Sequence, residues 1–298
     1  MKLLRSLVRW VGHQPALRHG IKHRLLTRYH NPDRANSESF LANFYGLRYE
    51  GNFNSYIDWC IYYQGAYSRQ ELRLLETVAR RLPTSSVFID VGANVGNHSL
   101  FASTVFGQVY SFEPVPWLVE RINRQQQLNN IQNLHVFPYA LGEHDARQEF
   151  YSSTVANQGM GTLIKDREAN MKPIQVDVKR GDDFLPNLSL DRVDFIKIDV
   201  EGFERYVLNG LAQTIICFQP IVFFEWSESG SSTQPDLLDS PYFDQYNFFR
   251  FGEGQPRGLV FEEDNFNLLP VQILSPDYNY VAVPMAKRSL VEARIITA

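Results

Sequence analysis

Residues 87–100 read VFIDVGANVGNHSL. Val87, Phe88 and Ile89 form a short apolar run with β-branched content, the pattern of a strand buried on both faces of a parallel sheet. Asp90 closes that run. Gly92 and Gly96 then bracket a tight turn, and the residues after Gly96 carry helical potential as far as Gly107. A strand, a glycine turn and a helix N-terminus make an α/β unit whose backbone can approach a nucleotide-like ligand with no Cβ in the way.

The turn also says which nucleotide. The dinucleotide fingerprint G-x-G-x-x-G begun at Gly92 needs glycines where this chain has Asn94 and Asn97. An acid, Asp90, stands just before the turn. A carboxylate there repels a pyrophosphate and tolerates a cation. S-adenosylmethionine carries an ammonium and a sulfonium and no phosphate, so D-x-G-x-N-x-G fits it better than NAD. Gly92, Ala93, Asn94, Gly96 and Asn97, together with Asp90, are therefore the expected cofactor contacts. Val109–Phe112 reads as the next strand, with Glu113 and Pro114 at its end. A carboxylate in that place accepts hydrogen bonds from both ribose hydroxyls.

Four segments carry a resemblance to a known family: Asp90–Gly96, Phe112–Pro114, the run from Asn130 to Leu141-Gly142, and Ile196–Glu204, which reads IKIDVEGFE. Together they resemble the FkbM family of S-adenosylmethionine-dependent methyltransferases over about residues 44–226. The first segment is common to many class I methyltransferases, and the last is the more specific. The resemblance implies a Rossmann-like α/β fold with a mostly parallel seven-stranded sheet, helices on both faces and a cap ahead of the core. It also implies methyl transfer to hydroxyl oxygens, commonly on sugars, glycolipids or secondary metabolites. The family carries an acid after the Gly65-Ala66-Tyr67 step where this chain has Ser68, and Glu71 is the nearest substitute.

With 298 residues, 44% of them hydrophobic, the chain can bury a large core. Its two cysteines, Cys60 and Cys217, lie far apart, which argues for a reducing compartment and against a disulfide framework. A cytoplasmic location, some of it at the membrane surface, is the expectation. Residues 1–30 hold seven basic side chains and no acid, leaving 22 basic against 33 acidic residues in the rest. An acidic body argues against a nucleic-acid partner. The basic N-terminus reads as one or two amphipathic helices, with Leu3, Leu4, Leu7, Val8 and Val11 at helical spacing. Arg5 and Arg9 interrupt any signal-peptide core, so no secretory leader is expected. The helices either touch a membrane that holds a lipid-linked substrate or pack on the domain or a second subunit, and the packed reading is favoured.

Four regions follow: a basic helical extension at 1–39, an aromatic cap and lead-in helix at 40–82, a catalytic domain at 83–285 and a tail at 286–298. In the cap, Gly46 and Gly51 suggest hairpin turns, and the aromatic side chains suit packing or a sugar face. A helix is expected from about Ser68 to Arg81, and another with a polar outer face over 117–129. Leu134–Phe137 reads as the third strand. Ala140 and Leu141 follow it, where an adenine ring is expected. Extra strands are expected near Arg147–Tyr151 and Ile174–Val178, with a mobile loop at Asn157–Leu163 between them. Asp182 reads as a helix cap. Val193–Asp199 is the fourth strand, in which Lys197 needs an acidic partner. Pro220–Trp226 is the fifth. Asn247–Phe251, Gly258–Phe261 and Tyr278–Val283 are expected to close the sheet, and Ser227–Pro241 to form a loop.

Asp199, which is also an expected cofactor contact, and Glu201 stand at a strand's carboxyl end, where an open α/β sheet lines its ligand crevice. With Glu225 and His98 they are the candidate catalytic residues. Methyl transfer to a hydroxyl needs in-line geometry and a base for the proton. Asp199, Glu201 and Glu225 also suit a divalent cation, which the spacing does not require. The reading is an O-methyltransferase acting on a sugar, glycolipid or glycan hydroxyl, with S-adenosylmethionine as donor. The alternatives are a secondary-metabolite acceptor such as a polyketide, or an inactive methyltransferase-like binding protein. A homo-oligomer is compatible with either.

Overall fold

The computed structural model describes residues 2–14, 17, 19–153, 161–162, 171–226, 237–252, 266–275 and 278–296. The expected strand at Gly258–Phe261 and most of the expected loops at 157–163 and 227–241 lie outside these residues.

The chain opens with helices α1 (Lys2–Gly12) and α2 (His19–Tyr29). An antiparallel hairpin of β1 (Ser39–Phe44) and β2 (Leu47–Asn52) follows, then α3 (Tyr56–Gln64) and α4 (Arg69–Ala79). The hairpin turns at Tyr45-Gly46. Gly51, expected in a turn, lies inside β2, where the Phe40 ring occupies the space a side chain would need.

The core begins at β3 (Val87–Val91) and continues through α5 (Asn97–Ala102), β4 (Gln108–Phe112), α6 (Pro116–Asn129) and β5 (Leu134–Phe137). A side sheet is built from β6 (Ala140–Gly142), β7 (Ala146–Ser153), β8 (Gly161–Thr162) and β9 (Met171–Arg180), in the order β6-β9-β7-β8. After α7 (Gly181–Phe184) come β10 (Phe195–Ile198), α8 (Glu204–Gly210), α9 (Ala212–Phe218) and β11 (Ile221–Trp226). The last strands are β12 (Tyr246–Phe251), β13 (Leu268–Val271) and β14 (Tyr278–Pro284).

Eight strands form the main sheet among the described residues, in the order β13-β12-β14-β11-β10-β3-β4-β5. The five from β5 to β11 are parallel, and β14, β12 and β13 are antiparallel to their neighbours. The resemblance implied seven strands; the sheet has eight among the described residues, and β13 was not among the strands read from the sequence. It carries Pro270, which has no N–H to donate and is tolerated at a sheet edge. The parallel strands are buried on both faces. Phe88, Val109, Phe195 and Phe223 pack with α4 and α5, while Ile89, Ile196, Ile198 and Val222 pack with α8 and α9. Asp182 is a cap, as expected, and the helix it caps is α9: its carboxylate accepts from the Gln213 and Thr214 N–H groups, both at 2.9 Å.

The cap is tied to the core by polar groups. The polar face of α6, expected to be an outer face, is the docking surface for β2. Gln125 donates to Glu50 O (2.6 Å) and accepts from Glu50 N (3.0 Å), and Asn129 does the same for Arg48 at 2.8 Å each way. Their amides stand in for a neighbouring strand. Beside them Asp58, fully buried, accepts from Arg121 (2.7 Å), from the Tyr49 hydroxyl (2.7 Å) and from Asn52 N (2.8 Å). Removing one member of a buried ion pair strands the other's charge. Arg121→Met is expected to lower unfolding free energy by about 3 kcal/mol, read as a shifted urea midpoint, and Asp58→Leu in the same chain to recover much of the loss. An unchanged midpoint for the single variant would show that the pair does not hold the cap.

Candidate active-site crevice

The strand order reverses between β3 and β10. In open α/β sheets such a switch point opens a crevice at the carboxyl ends of the strands. Here the crevice encloses about 430 Å³. Its floor is the glycine turn. The Gly92 and Ala93 N–H groups both donate to Phe112 O, at 3.0 and 3.1 Å. Gly92 has φ +78°, and a Cβ there would overlap the carbonyl oxygen of Asp199. Only glycine lets the turns after β3 and β10 touch.

Glu113 laces this floor together. Its carboxylate accepts from Asn94 N (2.7 Å) and Val115 N (3.0 Å). Burial nevertheless pushes the carboxyl up to about 7, since the two N–H donors only partly offset desolvation. Ala93, Asn94, Asn97 and Pro114 line the crevice around Glu113, and Ala140 and Leu141 line it from the side sheet.

Two of the expected contact residues do not line the crevice. Gly96 lies beneath the turn against Ile122 and does not line the crevice. Asp90 is fully buried behind Gly92 and is absent from the lining. Its carboxylate takes the Ser99 hydroxyl at 2.5 Å and Lys197 Nζ at 3.3 Å. The charge at Asp90 is thus matched from within the protein, because β3 and β10 pair Asp90 directly with Lys197. Lys197 has the acidic partners it was expected to need, with Asp199 Oδ2 at 3.2 Å on its other side. Burial alone would lower the lysine, but Asp199 and Asp90 more than offset it and raise the pKa.

The second wall is the turn after β10. Asp199 N bonds to Val91 O, Glu201 sits at φ +53° and Gly202 at φ +99°. A left-handed glutamate is strained, and such strain gathers at working sites. Glu204 holds the turn by accepting from Gly202 N at 2.8 Å, and burial pushes its carboxyl up to about 7. Asp199, Glu201 and Glu225 each bring one oxygen within 4.8 Å of the others, a set of hard donors compatible with a divalent cation. Burial and the neighbouring Asp199 and Glu201 push Glu225 up to about 8, where it hydrogen-bonds Asp199.

His98 lines the crevice too, but both ring nitrogens already face partners. Nδ1 is 3.3 Å from Asn97 Nδ2 and Nε2 is 2.8 Å from Glu71 Oε2, which argues against the expected role as base. Glu71 itself lines the crevice and takes Asn279 Nδ2 at 3.3 Å. Asn279, Glu204 and the cap residues Tyr56 and Tyr67 were not among the site residues read from sequence. Glu204 closes the IKIDVEGFE segment and Tyr67 the Gly65-Ala66-Tyr67 step, whereas Tyr56 and Asn279 stand in no local motif and arrive through the fold.

The profile described as Methyltransferase FkbM domain matches residues 90–250. Methyltransferase 1 of Beauveria bassiana is 31% identical, covering 43% of this chain and 59% of the relative. Methyltransferase sdnD of Sordaria araneosa is 27% identical over 55% of this chain and 75% of the relative. Hexuronic acid methyltransferase AglP of Haloferax volcanii is 26% identical over 49% and 59%. The first and third alignments thus span less than two thirds of those relatives' lengths. The profile match runs from the aspartate beneath the glycine turn to the antiparallel strands that close the sheet, more than half of the chain, and on that extent the protein belongs to the FkbM methyltransferase family.

Proposed function

We propose that the protein is an S-adenosylmethionine-dependent O-methyltransferase that methylates a hydroxyl of a sugar, glycolipid or glycan. The observation that carries this reading is the charge of the crevice. Glu71, Glu113, Asp199, Glu201 and Glu225 line it, and Lys197, its buried ammonium, is already paired with two carboxylates. Such a lining suits a cationic ligand and opposes a pyrophosphate. The donor set fits the nucleoside part as well: Glu113 offers acceptors for ribose hydroxyls, Ala140 and Leu141 an apolar place for the base, and bare backbone at Gly92 close approach. The relative named for hexuronic acid supports a carbohydrate acceptor.

Bound there, the cofactor supplies an electrophilic methyl group. The acceptor hydroxyl must lose its proton as the C–O bond forms. Glu225, near 8, holds its own proton at neutral pH and donates to Asp199. Asp199 also faces Lys197. Glu201, a crevice-lining carboxylate on the left-handed turn after β10, is the group this reading assigns to take the acceptor's proton. Tyr56 and Tyr67 bring the aromatic cap into the lining of the crevice, where apolar rings suit a site that excludes water.

Glu201→Gln is expected to keep cofactor binding and lose about 10²–10⁴-fold in turnover with labelled methyl donor. Turnover within a factor of a few of the unaltered enzyme would remove Glu201 as the base. A second expectation concerns pH. Ribose hydroxyls donate to a carboxylate, so binding favours ionised Glu113. Because the free group sits near 7, affinity for S-adenosylhomocysteine should rise about tenfold from pH 6 to 8 and then level off. Glu113→Gln should bind weakly and lose that rise; calorimetry at each pH reads both, and an undiminished slope in the variant would detach Glu113 from the ligand. NAD in the same cell is expected to give no heat.

A further inference from the structure

Helix α1 meets the cap with Val8 and Gly12 and also with two arginines. Arg5 points inward, where it forks onto Glu38 at 2.6 and 3.0 Å and lies over the Phe53 ring at 4.8 Å. Arg9 lies over the Tyr62 ring at 4.6 Å. Both cations are used on the protein's own cap. Val8 packs on the cap, but the three largest apolar side chains described on α1 face out: Leu4, Leu7 and Trp10 are 52%, 57% and 61% exposed. On α2, which packs beside α1, Ile21 and Leu25 are 47% and 52% exposed, and Arg24 and Arg28 on the same helix are exposed too. A helix stabilised only by its own domain would bury the leucines and expose the arginines.

We infer that the outer surface of α1 and α2 is a docking surface for an anionic lipid bilayer. Three observations point to this occupant. The exposed apolar side chains recur at positions 4, 7 and 10 of one helix and 21 and 25 of the next, the spacing of a stripe that lies in an interface. The first 30 residues carry seven positive charges and no negative one, whereas the rest of the chain is acidic; Arg5 and Arg9 serve the cap and Lys22 is buried, but Arg24 and Arg28 are exposed, so a negative surface attracts this end and repels the body. Trp10, the most exposed of these side chains, is of the type that settles at headgroup depth. Among the described residues no helix is long and apolar enough to cross a membrane, so the contact is peripheral. It adds to the packing of α1 on α3: one side of α1 holds the cap and the other meets the lipid.

The surface also adjoins the crevice. Asp33, four residues beyond α2, and Tyr56, which opens α3, both line it. A bilayer held against α1 and α2 therefore lies near the crevice mouth.

The test uses the full chain and co-sedimentation with vesicles of phosphatidylcholine, with and without phosphatidylglycerol. The protein should bind the anionic vesicles, bind the neutral ones much more weakly and come off as salt is raised. Trp10 fluorescence should shift to the blue on binding. Leu7→Glu and Trp10→Glu should each weaken partitioning about tenfold or more, and Arg24→Gln and Arg28→Gln about fivefold each. All four side chains are exposed, so the circular dichroism spectrum and melting temperature should hold. Equal binding to both vesicles, none to either, or binding indifferent to these substitutions overturns the inference. So does light scattering that shows a dimer dispersed by Leu7→Glu, since a second copy would then cover the face. Binding is read without cofactor or acceptor, so its failure leaves the methyltransferase reading untouched.

Discussion

Lys197 is an ammonium in the middle of a parallel sheet, and the site is arranged around keeping it there. Such a group is tolerable only if it is paired, and the strand register supplies Asp90 at the same level of β3 while the chain itself supplies Asp199 two residues on. Asp90 in turn holds Ser99 at the start of α5, and Ser99 shares a hydrogen bond with Ser111 of β4 at 2.6 Å. One cation thus pins three adjacent strands and the first helix of the core. Its reach ends at the Gly92 carbonyl, 3.5 Å away, directly under the turn. The pair of acids leaves little of the lysine's charge to the crevice above.

What remains above is a crowd of carboxylates. Desolvation and mutual repulsion push Glu113, Glu204 and Glu225 up toward or past neutrality. Each upward shift marks a carboxylate that is costly to ionise, and a cationic ligand lowers that cost. The same crowding sorts the acids by role, because those that keep their protons donate and those that lose them accept. The strained turn at Glu201 belongs to this arrangement: Gly92 beneath and Glu204 behind hold it in place.

The parts legible in the sequence were those set by local chemistry. The glycine turn, the acids at the ends of β4, β10 and β11, and the unmet need of Lys197 each show in a few adjacent residues. The burial of Asp90 against Lys197 does not show in the sequence, because a strand-end acid looks the same whether it faces a crevice or the neighbouring strand, and only the pairing of β3 with β10 decides. Helix α3 gave no helical stripe, since six of the nine residues of YIDWCIYYQ are buried and the other three half-buried. Edge strand β13 was hidden by its proline. Glu71 and Asn279 are more than 200 residues apart and meet only when α4 and β14 are both in place.

The amide ladder between α6 and β2 has a consequence for how copies of the chain meet in a crowded solution. A two-stranded hairpin ordinarily leaves a row of bare N–H and C=O groups that invites another strand. At Arg48 and Glu50 those groups are already satisfied by Asn129 and Gln125. At Arg48 and Glu50 the rim of β2 therefore offers no template for intermolecular pairing, and the hairpin is shielded from strand exchange there by the same side chains that seat it.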